Sequence, residues 1–380
     1  MNKEAAYWIA LAHLPRWGHL KMNNLIIKFH HEYELTIEDF FQLSESDWKM
    51  QYGLEIKEIE DLKKAKSELA SNAFLAETMQ NEGYELIPII SPEYSKILKE
   101  NLKAAHAPAL LYVKGNKQIM LEKSIAIVGS RNASERSLTF ADNIAKLASQ
   151  EYKVIVSGFA KGVDKQALDS AIKYKGQSII VLPQGIMTFG SGFKNYYRQI
   201  VDGDVLVLST FFPKAPWQAE LAMARNPIIY GLASEIYVAE SSDKGGTWSG
   251  VVDGLRKNRK IYVRKPESSE NNANNLLIQK GAIAVDFAGK PLLDYKPLLS
   301  TTNQLRLQEP ALNYESGIIE LLKTGEFNVK EIIAKLQLTW SEKKLRDFLK
   351  NKPEVIVINK KPLRYKSKDI SIVQKSLFDE

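Results

Sequence analysis

The sequence predicts an α/β protein built on an extended Rossmann-like, doubly wound and mostly parallel sheet. Short apolar segments alternate with helical ones between residues 124 and 285, as strands joined by crossover helices do. These apolar segments are continuous, which is typical of parallel strands covered on both faces. Near the C-terminus, three helical segments followed by a basic hairpin predict a small winged-helix domain.

Seven strands are predicted in this region, and two segments before it also have the character of strands. The helical stretches between them keep the i, i+3, i+4 apolar spacing, as in residues 134–150. Gly176 follows the helix predicted over 163–175, where a C-terminal cap is expected. The predicted strands are 124–128, 153–157, 178–182, 204–208, 235–239, 260–263 and 282–285, preceded by the segments YELIPII and ALLYVKG.

The chain is expected to contain three domains and a linker. Residues 1–83 have the pattern of short helices around a Pro-Arg-Trp-Gly turn, as in a helix-hairpin-helix or SAM-like domain. Residues 84–298 form the Rossmann-like domain. Residues 299–313 lack periodicity and are predicted to be a linker, and residues 314–372 form the winged helix.

The composition excludes several classes of function. No cysteine is present, which excludes disulfides, thiolate catalysis and cysteine-ligated zinc. All five histidines precede Gly129, so a histidine base or a histidine-rich metal site is excluded beyond it. No apolar run approaches the roughly 20 residues of a membrane span, and the N-terminus lacks a signal-peptide pattern. We expect a cytoplasmic protein without membrane contact, cofactor, metal or catalytic residue.

The formal net charge of +7 is unevenly distributed. Residues 1–90 carry 9 basic and 15 acidic side chains, residues 91–300 carry 28 and 19, and residues 301–380 carry 15 and 11. The middle and the C-terminal part are therefore expected to face a polyanion. The acidic first domain is expected to have a structural or protein-contact role.

Glycines and cations cluster in the loops that follow the predicted strands. Ligands of open parallel sheets bind at the carboxyl ends of the strands, where glycines and helix N-termini present backbone N–H groups to anions. The segment Gly129-Ser130-Arg131 has one glycine and an arginine instead of a glycine-rich dinucleotide motif, which favours one phosphate of a chain over a buried pyrophosphate. The predicted phosphate-binding residues are Gly129, Ser130, Arg131, Gly158, Lys161, Gly162, Arg225, Asn226, Gly245, Gly246 and Thr247.

Two of these loops also carry a family signature. AIVGSR at 126–131 and SGFAKGVDKQAL at 157–168 resemble, in order and spacing, two motifs of the DprA/Smf family of bacterial DNA-processing proteins. The resemblance extends over nearly the whole chain, from PIISPEY before the sheet through ARNPIIYGLAS to the C-terminal domain.

This resemblance implies a single-stranded-DNA-binding protein that is not an enzyme. Members of the family protect incoming strands during natural transformation and help to load the RecA recombinase. The implied partners are single-stranded DNA, a RecA-type recombinase and a second copy of the chain, joined through the Rossmann-like domain. Leu168, Thr210 and Pro227 stand where the family usually has histidine, glutamate and arginine, which removes polar groups from the pocket.

Two alternatives belong to the same superfamily. Nucleoside-monophosphate phosphoribohydrolases carry P-G-G-x-G-T-x-x-E, and the corresponding SDKGGTWSG has Gly250 in place of the glutamate. Asp164 or Glu240 would then have to supply the acid or base, although Asp164 is better explained by an interaction with backbone amides at a helix N-terminus. The other alternative is a nucleotide-ligand sensor or a defence-related protein.

Overall fold

The computed structural model describes residues 4–295, 314–336, 338, 341–350, 352, 354–358 and 362–367. The chain divides into two compact units, Met1–Pro297 and Leu298–Glu380. The predicted linker, residues 299–313, lies outside the described residues.

A nine-stranded sheet organises the first unit. Its strands are β1 (Glu85–Pro88), β2 (Leu110–Lys114), β3 (Ser124–Val128), β4 (Val154–Ser157), β5 (Ser178–Val181), β6 (Val205–Ser209), β7 (Glu235–Val238), β8 (Lys260–Arg264) and β9 (Ile283–Val285). Their order is β1-β2-β6-β5-β4-β3-β7-β8-β9. Strands β3 to β9 are parallel, and β1 and β2 are added antiparallel at one edge. These pairings confirm the predicted mostly parallel sheet. Its central strands β3, β4, β5 and β6 are buried along their whole length, as their continuous apolar sequences predicted.

Six helices precede the sheet: α1 (Ala5–Ala12), α2 (His19–Ile26), α3 (Ile37–Gln42), α4 (Glu45–Met50), α5 (Ile56–Ser67) and α6 (Leu69–Asn81), with a π-helical turn at Ile27–Glu32. Capping boxes begin α3 at Thr36 and α4 at Ser44. The buried Trp8 and Phe40 belong to the same apolar core as Tyr112 of β2. The N-terminal helices therefore pack into the core of the sheet within the first unit.

Helices cover both faces of the parallel strands. They are α7 (Lys96–His106), α8 (Glu135–Gln150), α9 (Val163–Lys173), α10 (Gly190–Asn195), α11 (Tyr197–Val201), α12 (Ala219–Leu232), α13 (Gly246–Arg256) and α14 (Asn274–Gln279). Ala126 of β3 packs in one core with residues of α12 and α13. The adjacent Ile127 points to the opposite face and packs with residues of α8 and α9. None of the described helices is long and apolar enough to cross a membrane.

The order in which strands are added to the sheet reverses at β3: β4, β5 and β6 follow on one side, and β7, β8 and β9 on the other. Strand β3 pairs with β4 on one side and with β7 on the other, so the loops that leave β3, β4 and β7 meet at one edge. Such a reversal opens a crevice at the carboxyl ends of the strands, where ligands of open α/β sheets bind.

Gly176 belongs to the C-terminal cap of α9, as predicted, but it is not the residue with the left-handed conformation. Lys175 takes that conformation, with φ of +55°, and Gly176 N donates to Ala171 O at 2.8 Å one position later. A Cβ on Gly176 would lie 2.1 Å from Ser149 Oγ. Glycine is required here for the close approach to α8.

The second unit contains the three predicted helices and a small sheet. Its helices are α15 (Tyr314–Lys323), α16 (Val329–Lys335) and α17 (Glu342–Lys350), and its strands are β10 (Phe327–Asn328), β11 (Val355–Ile358) and β12 (Arg364–Ser367). The strands form an antiparallel sheet in the order β10-β12-β11. Ile318, Ile332, Leu345 and Tyr365 are buried in its core.

A buried ion pair ties β8 to the helices beside it. Arg264 is fully buried, donates from Nη1 to Glu270 Oε1 at 2.8 Å and from Nε to Ala239 O at 3.0 Å. Its Nη2 also donates to Ser137 Oγ of α8 at 3.0 Å. Ser137 and the Ala239 carbonyl are buried and Glu270 is partly buried, so removing the guanidinium leaves these groups without their shared partner.

Arg264→Leu should lower the free energy of unfolding by about 3–5 kcal/mol, since it leaves the largely buried Glu270 carboxylate without its guanidinium partner. Urea unfolding followed by circular dichroism measures this change. Arg136→Leu is the matched control, because Arg136 pairs with Glu267 with both side chains about half exposed, and it should cost no more than about 1 kcal/mol. Equal losses for the two variants would contradict the stabilising role of the buried pair.

Candidate nucleic-acid interface

The loops after β3 and β4 are in backbone contact through a glycine. Gly162 has φ of +86°, and a Cβ on it would lie 2.3 Å from Ser130 O and 2.7 Å from Arg131 O. Val163 N donates to Ser130 O at 3.3 Å. Glycine is therefore required both by the left-handed backbone and by the space. This contact places the N-terminus of α9 against the Gly129-Ser130-Arg131 loop.

The loop after β7 is hydrogen-bonded to the Gly129-Ser130-Arg131 loop as well. Ser130 N donates to Glu240 O at 2.9 Å, and Thr247 Oγ1 donates to Gly129 O at 3.1 Å. A Cβ on Gly129 would lie 2.6 Å from Val163 Cγ2. The three loops thus form one hydrogen-bonded edge rather than three independent segments.

Two neighbouring cavities open at this edge. The first, of about 430 Å³, is lined by eight predicted residues: Gly129, Ser130, Arg131, Arg225, Asn226, Gly245, Gly246 and Thr247. The second, of about 370 Å³, is lined by Gly158 and Lys161, and again by Arg131 and Arg225. Gly162 is absent from both linings. The structure therefore brings ten of the eleven predicted residues to two adjoining cavities and places the eleventh directly behind them.

Arg131 and Lys161 are the predicted cations that face solvent. Both residues are exposed, and neither side chain forms a salt bridge within the described part of the chain. Arg131 lines both cavities, and Lys161 lines the second. Their charges are available to an anion at this edge.

Arg225 is placed differently from Arg131. It is 4% exposed, and its Nη1 donates to Gly158 O at 2.5 Å and to Val181 O at 2.6 Å. A Cβ on Gly158 would lie 2.2 Å from that Nη1, so Gly158 leaves room for the guanidinium. Arg225 Nε is buried without a hydrogen-bond partner among the described residues. Arg225 therefore braces the ends of β4 and β5 and retains one unpaired donor.

Asp164 is the buried carboxylate of the site. Its Oδ2 accepts a hydrogen bond from Gly158 N at 3.2 Å, within the first turn of α9. Burial raises the pKa of Asp164 to about 6, although the positive charge of Arg225 and backbone hydrogen bonds favour the ionised form. The interaction with backbone amides expected from the sequence is present.

Three helices begin at this edge, and only α8 has a side-chain cap among them. Glu240 Oε2 accepts from Ser134 N at 3.0 Å and from the hydroxyls of Ser134 and Ser137, both at 2.7 Å. The N-cap residues of α9 and α13 are Gly162 and Gly245, which have no side chain to act as a cap. Glu240 is thus engaged at the N-terminus of α8, and Asp164 lies in the first turn of α9, whereas the first turn of α13 contains no acidic residue.

Trp217 lines the site but was not identified from the sequence. It is 54% exposed and lines both cavities. Its loop is fixed to the loop after β5, because Gly185 N donates to Ala215 O at 2.9 Å and Ser209 Oγ donates to Gln184 O at 2.7 Å. The loop leaves the carboxyl end of β6, so the rule that identified the other loops could also have identified this one.

The departures from the family pattern have local explanations. Leu168 is 2% exposed and packs in the apolar core with Tyr112 and Ile180. Pro227 lies inside α12 and lines a third cavity of about 170 Å³, which shares Asn226 and Gly246 with the first cavity. The described residues contain no group of three or more His, Asp or Glu side chains that could hold a metal.

The raised pKa of Asp164 predicts a pH-dependent stability. The folded state binds this proton more tightly than the unfolded state, so the contribution of Asp164 to stability decreases as the pH rises from about 4 to 6. The free energy of unfolding of Asp164→Asn minus that of the parent should therefore rise by about 2–3 kcal/mol between pH 4 and pH 7, at 1.4 kcal/mol per pKa unit.

Urea unfolding at several pH values measures this difference. A difference that stays constant over this pH range would contradict the raised pKa of Asp164.

Known proteins resemble the chain in sequence and in fold. The DNA processing protein DprA of Streptococcus pneumoniae is 29% identical over 193 residues, which cover 50% of this chain and 68% of that protein. Protein Smf of Synechocystis is 24% identical over 316 residues, or 77% of this chain and 75% of that protein. The X-ray structure of the pneumococcal DprA shares the fold, with a TM-score of 0.61, 23% identity and coverage of 79% of this chain and 99% of that one. The family model for DNA recombination-mediator protein A matches residues 85–294, more than half of the chain, and the chain therefore belongs to that family.

Proposed function

We propose that the carboxyl edge of the sheet binds single-stranded DNA. The observation that carries this proposal is the position of Arg131, an exposed guanidinium that lines two adjoining cavities and has no salt bridge within the described residues. A cation between two nucleotide-sized compartments suits a phosphate that links two nucleotides. Membership of a recombination-mediator family supports DNA as the polyanion.

Trp217 supplies the apolar part of the proposed contact. Single-strand-binding surfaces combine cations that follow the backbone with aromatic rings on which bases stack. Trp217 is half-exposed and adjoins the same two cavities as Arg131. A base can reach this ring only when it is unstacked from its neighbours, which favours single strands over duplex.

The family assignment supports the wider role. We propose that the protein acts in DNA recombination and natural transformation, where it protects incoming strands and helps to load a RecA-type recombinase. We also propose a cytoplasmic homodimer joined through the Rossmann-like domain. The relatives in S. pneumoniae and Bacillus subtilis are both named DNA processing protein DprA.

We propose that the second unit is a winged helix with an accessory role. Two of its arginines are engaged within the unit: Arg346 donates to Glu342 at 2.7 Å, and Arg364 donates to Glu331 at 2.7 Å. Lys360 and Lys361, in the basic turn, lie outside the described residues. The internal pairing of both arginines supports placing the main DNA site on the first unit.

We propose no hydrolytic activity. The two carboxylates that could replace the missing phosphoribohydrolase glutamate both have structural partners, Asp164 at backbone amides and Glu240 at serine hydroxyls. Turnover of a nucleoside monophosphate that disappears in Glu240→Ala would contradict this part of the proposal.

Arg131→Ala should weaken the binding of an oligothymidylate by about 10- to 150-fold, the loss of one charge-assisted contact of 1.5–3 kcal/mol. The slope of log K against log salt should decrease by about 0.7, the value for one neutralised phosphate of a single strand. Arg131→Lys should recover part of the affinity, because it keeps the charge but loses the paired donors. Fluorescence anisotropy at several salt concentrations measures both quantities.

A bracing role of Arg131 would give a different result. In that case Arg131→Ala would lower the melting temperature and leave the salt slope unchanged. For the parent protein, tighter or equal binding of a blunt duplex at the same salt concentration would contradict single-strand binding.

Trp217→Ala should weaken oligothymidylate binding by about 1–3 kcal/mol, the contribution of one base stacked on an aromatic ring. The salt slope should stay at the parent value, because no phosphate contact is lost. Trp217→Phe should keep most of the affinity. Tyr197→Ala is the control, since Tyr197 is 69% exposed and lines neither cavity; an equal loss in both variants would argue against stacking on Trp217.

A further inference from the structure

We infer that the first cavity binds a nucleotide with a terminal phosphate monoester, and that this phosphate lies at the N-terminus of α13. Such a group occurs at the phosphorylated end of a strand and on a free nucleoside monophosphate. The inference deepens the proposed strand binding and rests on it. It adds that the site distinguishes a terminal phosphate from an internal one.

The N-terminus of α13 is built differently from that of its neighbour α8. Helix α13 has 11 residues and is preceded by the N-cap residue Gly245, which has φ of +89° and no side chain to act as a cap. At α8, by contrast, the carboxylate of Glu240 and the hydroxyl of Ser134 occupy the corresponding place. Three residues of the α13 turn, Gly245, Gly246 and Thr247, line the first cavity. The first turn of α13 therefore lines the cavity, and that turn itself contains no acidic residue.

Arg225 provides an independent sign of a missing ligand. Its side chain is almost fully buried, it lines the first cavity, and its Nε has no hydrogen-bond partner in the described chain. An unpaired donor of a buried charged group is costly. An anion in this cavity would satisfy the requirement.

The donors around α13 match a monoester better than a diester. A terminal phosphate carries between one and two negative charges and has three acceptor oxygens, whereas an internal phosphate has one charge and two free oxygens. The exposed Lys244 and the amide of Asn226 line the cavity beside the backbone N–H groups of α13. Asn226 Nδ2 lies 2.9 Å from the position that a Cβ on Gly246 would take. Lys244 and these donors suit the additional charge and the third free oxygen of a monoester.

The opposite wall of the cavity suits the rest of a nucleotide. Trp217 and Met223 are 54% and 49% exposed there, and Ile229 and Tyr230 line the cavity as well. A volume of about 430 Å³ is within the range of small-ligand pockets. The site can therefore hold one base and sugar together with the phosphate at α13.

The test compares internally labelled oligothymidylates that differ only at their ends. One carries a 5′-phosphate, one a 3′-phosphate and one two hydroxyls, and binding to the full chain is followed by anisotropy. We expect one phosphorylated strand to bind at least about tenfold more tightly than the hydroxyl strand, the effect of one additional charge-assisted contact. Thymidine 5′-monophosphate is added as a competitor, and displacement of the strand would extend the site to free nucleotides.

Lys244→Gln should reduce this preference to about threefold or less, because it removes a full charge beside α13. Gly246→Ala should have the same direction of effect, since its Cβ would lie 2.9 Å from Asn226 Nδ2. Lys123→Gln is the matched control, because Lys123 is exposed at the amino end of β3, on the opposite edge of the sheet. The control should keep the full preference.

The possible outcomes separate this inference from the proposed function. Binding of all three strands within about twofold of one another would overturn the inference and leave single-strand binding intact. A preference that survives in Lys244→Gln and Gly246→Ala would also overturn it. Failure of the parent to bind any strand would overturn the proposed function itself.

Discussion

The parallel pairing of β3 with both β4 and β7 is the constraint on which the site depends. It brings the loops after these strands to one edge, although they are separated by about 30 and 110 residues of sequence. The glycines then set how closely the loops approach: Gly162 admits the carbonyls of residues 130 and 131, and Gly158 admits a guanidinium. A side chain at either position would clash with these atoms and force the loops apart, with or without a ligand.

The cations of the edge fall into two groups with different functions. Arg225 is buried, donates to main-chain carbonyls of two strand ends and lies near the buried Asp164, so it stabilises the shape of the cavities. Arg131, Lys161 and Lys244 are exposed and have the freedom to meet a ligand. The buried arginine fixes the backbone of this edge, while the exposed cationic side chains can change conformation to contact a flexible strand.

Much of this arrangement could be predicted from the sequence. The strands are short, continuous and apolar, so their bounds followed from composition, and the rule on carboxyl ends located ten of the eleven predicted residues at the two cavities. The burial of Arg225 could not be predicted, because it depends on the space that Gly158 leaves across the sheet edge. Trp217 was missed because its loop has no glycine-cation pattern. Gly176 lies in the predicted cap of α9, but the left-handed residue is Lys175, and the glycine is required by its packing against Ser149, which the sequence does not reveal.

Hydrogen exchange of the backbone amides, measured with and without a saturating oligothymidylate, tests the central claim most directly. The account predicts slower exchange in residues 129–131, 158–162 and 245–247, where backbone N–H groups would face the phosphates. It predicts little change in α17 of the second unit. Slowing confined to α17, with none at the three loops, would contradict it.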